Sequence, residues 1–398
     1  MEQFPLRITG MAHGGEGMGR LNGKVVFVPF TIPGELVLVK PVQEKKDYVV
    51  AEALDILEPS PHRTAAGCEG FGRCGGCNWQ HIDYSHQLEL KRRIVEEQLF
   101  RIGKIENAAV RPVLPSEQHW HYRNRGDFSV NKDGFLGFKV RGTHRFVPVS
   151  SCRLMHPRIN ELLALLQGRC GPGTAKRTHN VCIRYGVKTG EFLIQPFLGL
   201  PDVPTGQPFF REKLFSYRYV ISAASFFQVN TLQAERLVSV VEEYIRPRGD
   251  EQIIDAYAGV GTFARALAEK VGRVIAVEEA GSAVRDAALN LQDCSNVHYY
   301  REKTEDFLRR FKEKVDVVIL DPPRAGCFKP ALEALVGLAP EKVVYVSCDP
   351  ATLARDVGYL CANGFNLQEV QPVDMFPQTY HVECVALLKR ALCREKPE

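Results

Sequence analysis

Ile253-Ile254-Asp255-Ala256-Tyr257-Ala258-Gly259-Val260-Gly261-Thr262 is the stretch that decides the architecture of this chain. A short apolar run ends near an acid, passes through two glycines and enters the helical pattern Phe263-Ala264-Arg265-Ala266-Leu267. Glycine lets backbone approach a ligand closely, and a helix N-terminus offers unpaired amide donors, so this turn has the form of a nucleotide cradle. Ala264 stands where a dinucleotide fingerprint has its third glycine, which weakens a nicotinamide reading although alanine is tolerated there. The next apolar run, Arg273 to Val277, leads into Glu278, an acid placed to accept both ribose hydroxyls of an adenosine.

Two further apolar runs follow downstream. Val317-Val318-Ile319-Leu320 leads into Asp321-Pro322-Pro323-Arg324, and Tyr345-Val346-Ser347 leads into Cys348-Asp349-Pro350. Alternating strand and helix patterns predict a doubly wound parallel sheet, which binds ligands at its carboxyl edge. Two prolines stiffen the loop after Asp321. A cysteine at the equivalent place one strand later is well sited as a nucleophile, with Arg324 as a cation to favour its thiolate and Ala351 to Asp356 as the helix that follows. Further on, Glu383 opens an apolar run, a natural place for a general base held out of bulk water. His381 competes for that role with an ordinary pKa nearer neutrality. Taken singly, each motif has a plainer reading as a strand stop or a structural thiol. Together, a thiol sharing a sheet with an adenosine site points to alkyl transfer through a covalent enzyme–substrate adduct.

Upstream, residues 1 to about 58 read as short strands: Leu6 to Thr9, Lys24 to Pro29, Leu36 to Pro41 and Tyr48 to Ile56. Glycine-rich turns break them, among them the hairpin signal Asn22-Gly23. They predict a small barrel. A cysteine-rich loop comes next. Cys68, Cys74 and Cys77 form a C-x5-C-x2-C cluster, and Cys152 is the candidate for a fourth ligand of an iron–sulfur centre. A zinc site using the same thiolates, with His81, is the alternative. Tyr84 to Leu99 has helical periodicity with Ser85 as its N-cap. The divisions expected are a barrel over 1–59, a mixed α/β segment over 60–235 and the nucleotide-binding region over 236–398.

The 398 residues exceed what one core usually spans, and the composition, 45% hydrophobic and 25% charged, is that of a globular protein. No apolar stretch approaches the roughly 20 residues that cross a bilayer, and Met1 to Arg7 lacks the build of a secretion signal, so a cytoplasmic monomer is expected. Twelve cysteines then argue for metal binding or catalysis rather than disulfides. The net charge of +4 is uneven. Residues 106–248 carry 20 Lys/Arg against 11 Asp/Glu, or +9, whereas residues 249–398 carry 18 against 23, or −5. A basic middle beside an acidic end suits a polyanion gripped by one and processed by the other, and Arg123, Arg125, Lys139, Arg141 and Arg145 are candidate phosphate contacts.

The combination of the glycine-rich first hairpin, the cysteine loop, Ser225-Phe226-Phe227-Gln228-Val229-Asn230, the Gly259/Gly261 turn, Asp321-Pro322-Pro323-Arg324, Ser347-Cys348-Asp349-Pro350 and His381-Val382-Glu383 closely resembles the RNA (uracil-5-)-methyltransferases. The resemblance is to the branch with an N-terminal TRAM barrel and a 4Fe-4S cluster, and it covers essentially the whole chain. It implies S-adenosylmethionine as methyl donor and RNA as substrate, 23S ribosomal RNA first and the transfer RNA T-loop second. It further implies Cys348 as nucleophile and Glu383 as base. Gln228, Tyr257, Glu278 and Asp321 would bind the cofactor, Cys68, Cys74, Cys77 and Cys152 the cluster, and Phe226 would pack on the target base. Ala258 and Asp349 depart from the residues that many members carry, cysteine and asparagine. RNA cytosine-5 methylation, a radical iron–sulfur enzyme and a non-catalytic RNA-binding protein are the competing readings.

Overall fold

The computed structural model describes residues 2–170 and 178–391. Arg394 to Glu398, whose sequence suggests a frayed tail, lie outside them. Alternating apolar residues in the first 58 positions form one strongly bent six-stranded sheet. Its strand order is Phe4–Arg7, Leu36–Glu44, Tyr48–Glu58, Lys24–Val28, Gly17–Leu21, Gly10–Met11. Leu6, Val26, Val28, Val37, Val39 and Ala51 make its core. Asn22 and Gly23, with φ of 49° and 84°, close the two-residue turn between Gly17–Leu21 and Lys24–Val28 that the dipeptide predicts. Gly10–Met11 and Gly17–Leu21 were not among the expected strands. Their glycines read as turns, and long-range pairing overrides that weak local preference.

The helix Tyr84–Arg101 is capped by Asp83, not Ser85: the Asp83 carboxylate accepts the His86 amide at 3.0 Å and the Ser85 hydroxyl at 2.5 Å. An acid one residue earlier takes the N-cap position, so Ser85 falls inside the first turn. A five-stranded sheet follows, ordered Phe192–Gln195, Asn180–Tyr185, Arg125–Val130, Leu136–Lys139, Phe146–Pro148, with the helix Pro157–Leu166 in its core.

The C-terminal sheet has seven strands in the order Val297–Arg301, Arg273–Glu278, Gln252–Ala256, Val317–Leu320, Lys342–Ser347, Glu383–Arg390, Phe365–Val373. The first five run parallel, and Glu383–Arg390 is antiparallel to both of its neighbours. The chain order reverses at Gln252–Ala256, which opens a crevice at the carboxyl ends of that strand and its neighbours. Val95, Leu99 and Val110, placed by the sequence reading in the middle segment, are buried in the core of this C-terminal sheet. Packing units and sequence segments therefore do not coincide. One small core joins the whole: Met11 and Ile32 of the barrel, Trp79 and Ile82 after the cysteine loop, Leu90 and Ile94 of the first helix, and Tyr380 near the C-terminal sheet.

Candidate active site and cysteine cavity

The glycine turn takes the shape its sequence requires. Tyr257, Gly259 and Gly261 have φ of 63°, 57° and 86°, and the Ala264 amide in the helix that follows donates to the Asp255 carboxylate at 3.0 Å. A Cβ built on Gly259 would meet nothing within 4 Å, so open space adjoins the backbone there. Glu278 borders the same space, accepting the Gly259 amide at 3.0 Å and the Ala280 amide at 2.8 Å. Tyr257 lays its ring against the core that contains Cys327. Gln228 lies in the loop before the helix Thr231–Ile245. Its neighbour Phe227 packs in the cluster that includes Val260 of the glycine turn, which brings the loop to this edge. Phe226, 65% exposed, projects outward from the same loop.

Asp321 follows its strand directly and Cys348 follows the next. Because Ser347 pairs with Cys384 in antiparallel register, Cys348 and Glu383 stand across from one another at the sheet edge. Glu383 and Asp321 thus adjoin this thiol, while Glu278 lies by Asp321 and Asp255 by both of those acids. Burial raises Glu383 to about 8, with the Asp321 charge adding to it. Burial likewise raises Asp321 to about 7, helped by Glu278. Cys348 is pushed up to about 12 by burial and by the Glu383 and Asp321 carboxylates. Arg324 favours the thiolate as expected, but does not outweigh burial and the two carboxylates. Its guanidinium is shared with Asp349, whose carboxylate it meets at 3.4 Å. His381, the competing base, is lowered to about 4 by burial and by the nearby Arg324.

Sequence reasoning missed Lys91 and Asp374. Lys91 is fully buried, donating to the Asp374 carboxylate at 2.5 Å and to the Phe376 carbonyl at 3.1 Å, while the Tyr84 hydroxyl donates to Asp374 at 2.8 Å. These bonds fix the segment that leads into Glu383. The available signal was the helix itself, whose buried stripe of Gln87, Leu90, Lys91, Ile94 and Val95 includes a lysine.

Cys68, Cys74, Cys77 and Cys152 line one cavity of about 550 Å³, together with Arg123 and Phe138. Among the described residues no group of three or more His, Cys, Asp or Glu is arranged to hold a metal ion. Burial and the neighbouring thiols push Cys77 up to about 12, and burial raises Cys74 and Cys152. His81 is buried against Phe30 and Phe71, and neither ring nitrogen has a hydrogen-bond partner. Of the candidate phosphate contacts, Arg125 is paired with Asp127 at 2.8 Å and Arg141 with Glu16, while Lys139 and Arg145 are exposed. No helix among the described residues is long and apolar enough to cross a membrane.

A family model described as tRNA (uracil-5-)-methyltransferase matches residues 209–391. The TRAM domain of tRNA (uracil(54)-C(5))-methyltransferase matches residues 7–62. An RNA methyltransferase of Thermosynechococcus vestitus is 36% identical over 96% of this chain and 97% of its own length. One from Caldanaerobacter subterraneus is 36% identical, covering 98% of each. The crystal structure of Pyrococcus abyssi tRNA (uracil-54, C5)-methyltransferase in complex with S-adenosyl-L-homocysteine superposes with a TM-score of 0.76 at 29% identity. The match covers 97% of this chain and all of that one.

Proposed function

The chain belongs to the RNA (uracil-5-)-methyltransferase family, an S-adenosylmethionine-dependent enzyme with a TRAM domain, and from that premise we propose that it methylates carbon-5 of a uridine through a Cys348–uracil adduct. The observation that carries this is the register that sets Cys348 opposite Glu383, beside Asp321 and the glycine turn. When bound, S-adenosylmethionine would supply an electrophilic methyl group, and Gln228, Tyr257, Glu278 and Asp321, around the open space at Gly259, would hold it. The positive donor favours ionisation of the carboxylates and thiol around it.

Carbon-5 of uracil is too weak a nucleophile to take a methyl group unaided. The Cys348 sulfur adds to carbon-6, its proton passing to a neighbouring carboxylate, and the ring becomes an enolate with electron density at carbon-5. Carbon-5 then takes the methyl group as the sulfonium S–CH3 bond breaks, its electron pair leaving with sulfur as neutral S-adenosylhomocysteine. Glu383, its pKa near 8, removes the carbon-5 proton, and the electron pair left behind expels the Cys348 thiolate from carbon-6. Phe226 packs on the uracil. The target base leaves its stack first, at a cost of a few kcal/mol that is smaller in a loop than in a duplex.

We propose that Cys68, Cys74, Cys77 and Cys152 would hold a 4Fe-4S cluster, a reading supported by the one cavity that all four thiols line. The substrate proposed first is 23S ribosomal RNA, on the resemblance to the branch that pairs a barrel with a cluster. The Pyrococcus likeness and the TRAM match favour a second reading, the T-loop uridine of transfer RNA.

RNA containing 5-fluorouridine, incubated with enzyme and S-adenosylmethionine, is expected to give a denaturant-resistant adduct that Cys348→Ala abolishes. An intact wild type that forms no adduct while methylating normal RNA would remove the covalent mechanism. Mapping methylated uridines in a deletion strain separates the two RNAs.

A further inference from the structure

The tip of the N-terminal barrel reaches the catalytic edge. His13, in the glycine-rich hairpin Ala12 to Glu16, brings its Nε2 to 3.3 Å from the Asp349 carboxylate, 336 positions away in the chain and adjacent to Cys348. The approach is built by several contacts. Gly15 has φ of +83°, and a Cβ there would sit 2.6 Å from the Tyr380 side chain, so the hairpin lies flush against the segment leading to Glu383. The indole of Trp79, which is fully buried, donates to the Gly15 carbonyl at 3.0 Å, and Arg141 pairs with Glu16. The Trp79 amide in turn donates to the Gln378 carbonyl at 3.1 Å.

Every acceptor of Asp349 is engaged. One oxygen caps the helix Pro350–Ala362, taking the Ala351 and Thr352 amides at 3.0 and 3.1 Å, and the other faces His13 and Arg324. We infer that this hairpin belongs to the catalytic centre, with His13 a positioning residue that holds Asp349 and, through it, the turn presenting Cys348. The inference rests on the Cys348 mechanism proposed above. A carboxylate held on one oxygen alone would let the turn swing, while one bound on both oxygens fixes it. Burial would raise Asp349, yet the His13 ring and the two helix amides hold it well below the usual carboxylate range. Arg324, His381 and Tyr380 are the other titratable groups facing this point.

The test measures adduct formation on 5-fluorouridine RNA, together with kcat and the KM for RNA. It uses wild type, His13→Ala and His13→Gln, and repeats His13→Ala in an Asp349→Asn background. His13→Ala is expected to slow adduct formation and kcat about tenfold with KM within about twofold. His13→Gln keeps a donor and recovers most of the rate. In the Asp349→Asn background, where no carboxylate remains to be held, adding His13→Ala changes the rate less than about twofold. An unchanged rate in His13→Ala, an equal loss in both backgrounds, or an effect confined to KM overturns the inference, the last making His13 an RNA contact. A wild type that forms no adduct instead defeats the mechanism beneath it, so the two failures are told apart.

Discussion

Cys348 and Cys77 are both thiols pushed up to about 12, chiefly by burial, and they differ in what stands around them. Carboxylates surround Cys348, foremost Glu383 and Asp321. Other thiols surround Cys77, namely Cys152, Cys74 and Cys68. In both places the chain has gathered groups that cannot all ionise without a cation. The acidic pocket suits a cation that comes and goes, a sulfonium whose arrival activates the nucleophile. The thiol pocket would suit the resident inorganic centre proposed above, which would neutralise four sulfurs at once.

The largest effects separate the two directly. Cys348→Ala is expected to lower methylation by at least about 10⁴-fold with the melting temperature little changed. Glu383→Gln should slow turnover by about 10²- to 10⁴-fold and accumulate a methylated adduct on ordinary RNA, visible as a shifted band in a denaturing gel. Cys77→Ser reverses the pattern. It should cost about 2 kcal/mol, seen as roughly 2–3 °C in melting temperature for a chain of this length, while kcat of the folded protein stays within about tenfold. A Cys77→Ser variant as inactive as Cys348→Ala at unchanged melting temperature would erase the distinction.

The smallest effect is in pH. Glu383 lies near 8 in the folded protein against an ordinary 4.5, so between those values the folded chain binds the extra proton. Stability of the ligand-free protein therefore falls as pH rises through that window, by about 1–3 kcal/mol from the acidic cluster. The same ionisation favours a cation. Calorimetry should show S-adenosylmethionine gaining a few-fold in affinity over S-adenosylhomocysteine between pH 6 and 8, since the latter lacks the sulfonium charge. Equal pH dependence for the two ligands would mean that the carboxylates do not sense the donor's charge.

Much of this was legible in local sequence. Asn22-Gly23 specified its hairpin, Gly259 and Gly261 their positive φ, and the acid and thiol that follow two strands, with the acid that opens another, their shared edge. The cysteine spacing marked a loop that does bring Cys152 to the same cavity. Other features gave little or no signal. Asp83 displaced Ser85 as a cap because both are competent and only the helix start chooses between them. Arg324 does favour the Cys348 thiolate, but its bond to Asp349 left no local signal.

By itself the sequence determined the strands of the last sheet that carry the site and the residues that end them, since alternation and glycine placement act over a few positions. Only the tertiary structure decided that Lys91 would meet Asp374, that the first helix would share the core of the last sheet, and that His13 would touch the turn of the nucleophile. Contacts spanning hundreds of residues leave no periodicity to read. They are fixed by which faces remain apolar once the local elements have formed, and by the close approach that one glycine at position 15 allows.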